Sequence, residues 1–222
     1  MDRVQQNGGT AGLVAGVLLV IGFALYYSLG PDLMDPVKSL QVFVQKPGLA
    51  TLTTIVFFAT VALAILFSAG LMNRLREPAP TRAVAQLYFA IIGLSALILD
   101  GIIRWVGSGT LSAASDQVAA GHAWLALTTV ASGVTAFGNA FTGASLLLAG
   151  WAVATTGALP AFLGWVAIIA GVFTWAAVFA PTNQLVLLVG FLLPAVWLIW
   201  GGAALRRAAM MPMSRPSPMA TS

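Results

Sequence analysis

Apolar residues fill the chain from about Gly9 to Leu205, and short polar breaks cut that run into six stretches with almost no charge inside them. A bilayer core about 30 Å thick takes roughly 20 residues of helix per crossing, and lipid offers backbone N–H and C=O groups no partner. The stretches therefore predict six spanning helices, at about residues 9–29, 48–72, 82–105, 124–151, 160–180 and 184–205. Gly30-Pro31-Asp32 ends the first, and the run Asn73 to Pro80, with prolines at 78 and 80, ends the second. The loop after span one is long enough for a short surface helix around Val37 to Val44. Apolar and small residues near the fourth span continue from about Ala119 to Gly157, too long for one perpendicular crossing and too short for two. One tilted or overhanging helix is expected there. The fold class is all-α, a polytopic bundle of six transmembrane helices. Residues 1–8 form an N-terminal segment, 9–205 the membrane domain, and the Met/Pro/Ser-rich residues 206–222 a disordered tail.

Composition agrees with that pattern. Hydrophobic residues make up 59% of the chain and charged residues 7%, against roughly 25% charged in a typical soluble domain. Cysteine is absent and histidine occurs once, at His122. Disulfides, thiolate chemistry and multi-histidine metal centres within one chain are thereby excluded, and no metal or cofactor is expected. The first stretch has no convincing small-x-small cleavage site and reads as a retained helix, not a signal peptide.

The formal charge of +4 changes the picture through its placement. Arg3, Arg74, Arg76, Arg82, Arg206, Arg207 and Arg215 fall on one side of the predicted membrane, and Lys38, Lys46 and Arg104 on the other. Because basic residues are retained in the cytoplasm, both termini are predicted cytoplasmic, in a multi-pass protein of the cell membrane, the bacterial inner membrane. Trp105 and Trp124 then mark the outer interface, and Trp151, Trp165, Trp197 and Trp200 the inner one. The positive charge is a sign of orientation rather than of nucleic-acid binding; the expected partners are the lipid bilayer and other membrane proteins or a second copy of the chain.

Few residues are candidates for chemistry. Asp100 and Arg104 are the only opposite charges within a predicted span, and their i,i+4 spacing with the acid first favours an intramembrane ion pair. Close to the end of span three, Arg104 would snorkel to the interface and neutralise its neighbour. On span four, Thr128, Ser132, Thr135, Asn139 and Thr142 recur at steps of four and three and so share one helical face. Such a face packs helices together, at about 0.6 kcal/mol per interhelical hydrogen bond, or else lines a solute path. Ser132, Thr135, Asn139 and Thr142 are the candidate solute-binding positions, Asn139 first among them. Gly8, Gly12 and Gly16 form a small-residue row suited to packing inside the bundle, and Pro194 should kink span six. Asp32 and Asp35 read as turn and cap residues, and His122 as an interfacial histidine close to Asp116. Gly107-Ser108-Gly109 faintly resembles the serine motif of intramembrane rhomboid proteases, but Ser108 falls in a predicted connection and the histidine follows fourteen positions later. No catalytic residue is assigned.

The order of features resembles a bacterial family of six-helix membrane proteins known only as a domain of unknown function. The likeness rests on the Gly-rich first span, Leu71-Met72-Asn73-Arg74-Leu75-Arg76, Leu159-Pro160-Ala161-Phe162-Leu163-Gly164-Trp165 opening span five, and Pro194-Ala195-Val196-Trp197-Leu198-Ile199-Trp200-Gly201 closing span six. It implies the architecture and no mechanism. Three functions are compatible with these residues: a non-enzymatic scaffold, accessory or sensor component of the membrane; a small-solute transporter or channel with a polar path along span four; and a lipid-modifying enzyme using Asp100, Asp116 and His122.

Overall fold

The computed structural model describes residues 3–30, 32, 35, 38–180 and 183–210. These form seven helices: α1 (Arg3–Leu29), α2 (Ser39–Gln45), α3 (Pro47–Leu75), α4 (Pro80–Ser112), α5 (Gln117–Thr156), α6 (Ala161–Phe179) and α7 (Gln184–Met210). All but α2 are long and apolar enough to cross a membrane, and the described residues contain no strand. The chain is a multi-pass membrane protein. Prolines set several boundaries: Pro47 and Pro80 occupy first turns, where a missing N–H costs nothing, and Pro160 sits at the N-cap of α6. Asp116 caps α5, accepting from the Val118 and Ala119 amides at 3.0 Å each. Gly157, at φ +66°, closes the same helix in the left-handed conformation that glycine adopts without strain.

Several helices outrun their predicted spans. α1 begins at Arg3 rather than Gly9 because Gly8 lies against Gly70 of α3 and Gly9 against Arg206 of α7, which holds the first turns in the bundle. α4 continues to Ser112, so the segment from Gly107 that composition reads as a connection is two further turns of helix. Gly107 packs on Leu127 and Trp124 of α5 there, and the Ser108 hydroxyl donates to the Trp105 carbonyl at 2.9 Å. α5 is one helix of 40 residues, about 60 Å long at 1.5 Å per residue and twice the hydrocarbon thickness. α7 passes through Pro194 unbroken and runs to Met210, into the segment expected to be a disordered tail; the rest of that tail, 211–222, lies outside the described residues.

The six long helices form a ring in the order α1, α3, α4, α5, α6, α7, with α7 returning to α1. Small residues make the close seams. The α1 glycine row works inside the bundle: Gly8 meets α3, while Gly12 and Gly16 meet α7 at Gly202, Ala195 and Ile199. Gly93 faces Gly138 between α4 and α5, and Gly150 faces Gly164 between α5 and α6, with backbone nearly touching backbone. Phe67, Leu71, Leu75, Val153, Leu163 and Leu205 form a fully buried core toward the end that carries both termini. Two arginines fasten that end. Arg74 Nε donates to the Ala158 carbonyl at 3.2 Å, and Arg82 donates to Thr155 Oγ1 at 2.8 Å while its guanidinium lies 4.1 Å from the Trp151 ring centre.

At the opposite end α2 packs against α3 and α4 and meets Trp124 of α5. The fully buried Trp124 donates from Nε1 to Ser39 Oγ at 2.9 Å, and Phe43 stacks edge-on against its ring at 5.7 Å. Lys38 pairs with Asp32 at 3.7 Å and Asp35 at 3.8 Å on the surface beside it, and Asp35 also accepts from the Lys38 amide at 3.4 Å, a turn role.

Candidate functional site

The polar side chains of α4 and α5 meet along one interhelical seam. Arg104 Nε donates to Asp100 Oδ1 at 2.8 Å, the local geometry expected of i,i+4 partners on a helix. The Asp100 side chain is 15% exposed and that of Arg104 32%. Arg104 also donates from Nη2 to Ser132 Oγ of α5 at 3.3 Å. The ion pair and the α5 polar face, separate candidates in the sequence, are therefore one constellation. Because α4 extends to Ser112, Arg104 stands about 12 Å short of the helix end, at 1.5 Å per residue. It is not in the terminal turns that the sequence implied, and it reaches sideways to α5.

Further along α5, most of the seam hydroxyls bond to their own helix. Thr128 donates to the Trp124 carbonyl at 3.0 Å, Ser132 to Thr128 at 2.8 Å and Thr135 to Ala131 at 3.0 Å. Thr142 departs from this pattern: its Oγ1 is buried without a partner, pressed against Gly93. Asn139 is half-buried, one turn away. The face continues to Ser145, three residues beyond Thr142, where it meets a residue the sequence analysis did not single out. Gln86 of α4 is 2% exposed; its Nε2 lies 3.4 Å from Ser145 Oγ, whose hydroxyl donates to the Gln86 carbonyl at 2.9 Å. The Gln86 Oε1 acceptor is buried with no partner. The signal for this pair was in the sequence, since Ser145 extends the i,i+3 rhythm and Gln86 is an amide four residues inside Arg82.

The remaining candidates are apart from this seam. Asp116 has its carboxylate engaged at the α5 cap, and His122 is exposed on the next turn. Ser108 sits in helix, not in a connection, buried and bonded to its own backbone. No group of three His, Cys, Asp or Glu that could hold a metal occurs among the described residues. Chemically, the seam can join helices, hold a compensated charge pair within α4 and, at Gln86, Asn139 and Thr142, offer neutral hydrogen-bonding groups.

The family described as Domain of unknown function (DUF4386) matches residues 9–202, nearly the whole membrane region. The chain belongs to the DUF4386 family. The match takes in α3 to α6 whole and most of α1 and α7, so the α4–α5 seam lies within the DUF4386 region. No curated protein and no solved structure matches the chain.

Proposed function

We propose that this DUF4386 protein is a non-enzymatic scaffold or accessory component of the membrane, with both termini cytoplasmic in the bacterial inner membrane. Its partners in this reading are the surrounding lipid and other membrane proteins or a second copy of itself. The observation that carries the reading is the closure of the α4–α5 seam. Gly93 and Gly138 bring the two backbones together beside Thr142, and the hydroxyls of Thr128, Ser132 and Thr135 return to their own helix. Asp100 and Arg104 neutralise each other there. Polar groups engaged in this way stabilise a packing rather than wait for a solute.

A second reading, a small-solute path along α5, is favoured by the buried, unpartnered Gln86 Oε1 and Thr142 Oγ1, which lie on the same seam as Asn139. Reconstitution separates the two. Liposomes containing the purified protein are assayed for leakage of ions, sugars and amino acids, alongside in-membrane crosslinking. A scaffold leaves permeability at the level of empty liposomes and yields a defined crosslinked assembly; solute flux that falls in an Asn139→Leu variant establishes the path instead.

A further inference from the structure

At the end of the bundle where α1 begins and α7 ends, a groove of about 350 Å³ lies between the start of α6 and the last turns of α7, open to the surroundings. One wall is a stripe of α7. Trp200, Ala203, Ala204 and Arg207 line it at i, i+3, i+4 and i+7, a single helical face. The facing wall is the start of α6, with Phe162 and Leu163. Trp200 and Phe162 stand edge-to-face at 5.9 Å and are each about half exposed, at 53% and 52%. The two alanines between Trp200 and Arg207 give the groove its depth. A second groove of about 270 Å³, on the α1 side of α7, shares Ala203 and Arg207 and adds Arg206.

Of the described arginines at this end, Arg3 and Arg76 are exposed and lie outside the groove; the other four divide into two groups. Arg74 and Arg82 hold the fold, through the Ala158 carbonyl, Thr155 and the Trp151 ring. Arg206 and Arg207 are exposed and have neither an ion-pair nor a hydrogen-bond partner among the described residues. An apolar groove with an aromatic pair at one end and an unneutralised guanidinium about 10 Å further along α7 matches an amphiphile with an anionic head. Arginine binds phosphate through paired N–H donors, and basic pockets between helices at the cytoplasmic side suit anionic headgroups.

We propose that the α6–α7 groove is a binding site for one anionic phospholipid, its phosphate on Arg207 and its upper acyl chain against Trp200 and Phe162. The site is independent of whether the protein is a scaffold or a transporter. The test is native mass spectrometry of the full-length protein in detergent, titrated with phosphatidylglycerol or with phosphatidylcholine of the same acyl chains. Phosphatidylglycerol should bind more tightly. Arg207→Gln should weaken it about tenfold, the scale of one charge-assisted contact. Arg76→Gln, which removes an exposed charge from the same end but outside the groove, should leave it within about twofold. Phe162→Ala, on the other wall, should weaken both lipids and provides a test that does not depend on Arg207. The proposal is overturned if the two lipids bind equally, if Arg76→Gln weakens binding as much as Arg207→Gln, or if millimolar inorganic phosphate displaces the lipid completely, which would mark a free-anion site.

Discussion

Replacing Gly150 by alanine is the sharpest probe of the ring. A Cβ built there would lie 2.5 Å from the Gly164 carbonyl oxygen and 2.8 Å from both Cγ1 and the amide nitrogen of Ile168. Ordinary contact begins near 3.4 Å, so α5 and α6 must part by about 0.9 Å at this point. The nearest obstacle is backbone, and no rotamer change can relieve it. Overpacking of this kind costs about 1–3 kcal/mol, against a gain of about 1 kcal/mol from replacing glycine by alanine inside a helix. A net loss of up to about 2 kcal/mol is expected. Gly133, in the same helix, is the matched control: nothing lies within 4 Å of its added Cβ. Gly133→Ala should be neutral or stabilising by up to about 1 kcal/mol. Equilibrium unfolding in mixed detergent micelles, followed by tryptophan fluorescence, measures both. Equal stability of the two variants would refute the close α5–α6 approach.

The other predictions concern single contacts. Asp100→Asn and Arg104→Gln should each lower stability by about 1–2 kcal/mol, less than for a fully buried pair because both side chains stay partly exposed; the double variant should recover some of that loss in the same unfolding assay. Trp124→Phe removes the indole N–H that donates to Ser39 Oγ and part of a fully buried ring, so it should cost about 1–2 kcal/mol and speed amide exchange in α2 before other helices. Since the chain has no cysteine, single-cysteine labelling carries no background: Ser115→Cys should react with an impermeant maleimide in intact cells and Glu77→Cys only after lysis, and the reverse pattern would invert the proposed orientation.

The spans were legible because lipid imposes a length and a composition that survive any tertiary arrangement. The pairing geometry of Asp100 with Arg104 was legible too, because i,i+4 neighbours meet on any helix. The link from Arg104 to Ser132 was not, since it depends on the register of α4 against α5, which is set by glycines such as Gly93 and Gly138. The helical turns from Gly107 to Ser112 were missed for a related reason. Glycine and serine there read as a linker, yet contact with Leu127 and Trp124 holds them in α4. Gln86 was overlooked because a single amide near an arginine-rich end looks interfacial, and only the facing Ser145 shows that it is buried.

A high-resolution structure of the protein in lipid nanodiscs, read for ordered water along α5, decides whether the α4–α5 seam is closed. Asp100 and Arg104 should be in contact, Ser132 bonded to Arg104, and the seam closed at Gly93 and Gly138, with at most isolated waters at Gln86 and Thr142. A continuous file of water or solute density from Arg104 past Asn139 to Gln86 would contradict that closure and make α5 the wall of a transport path.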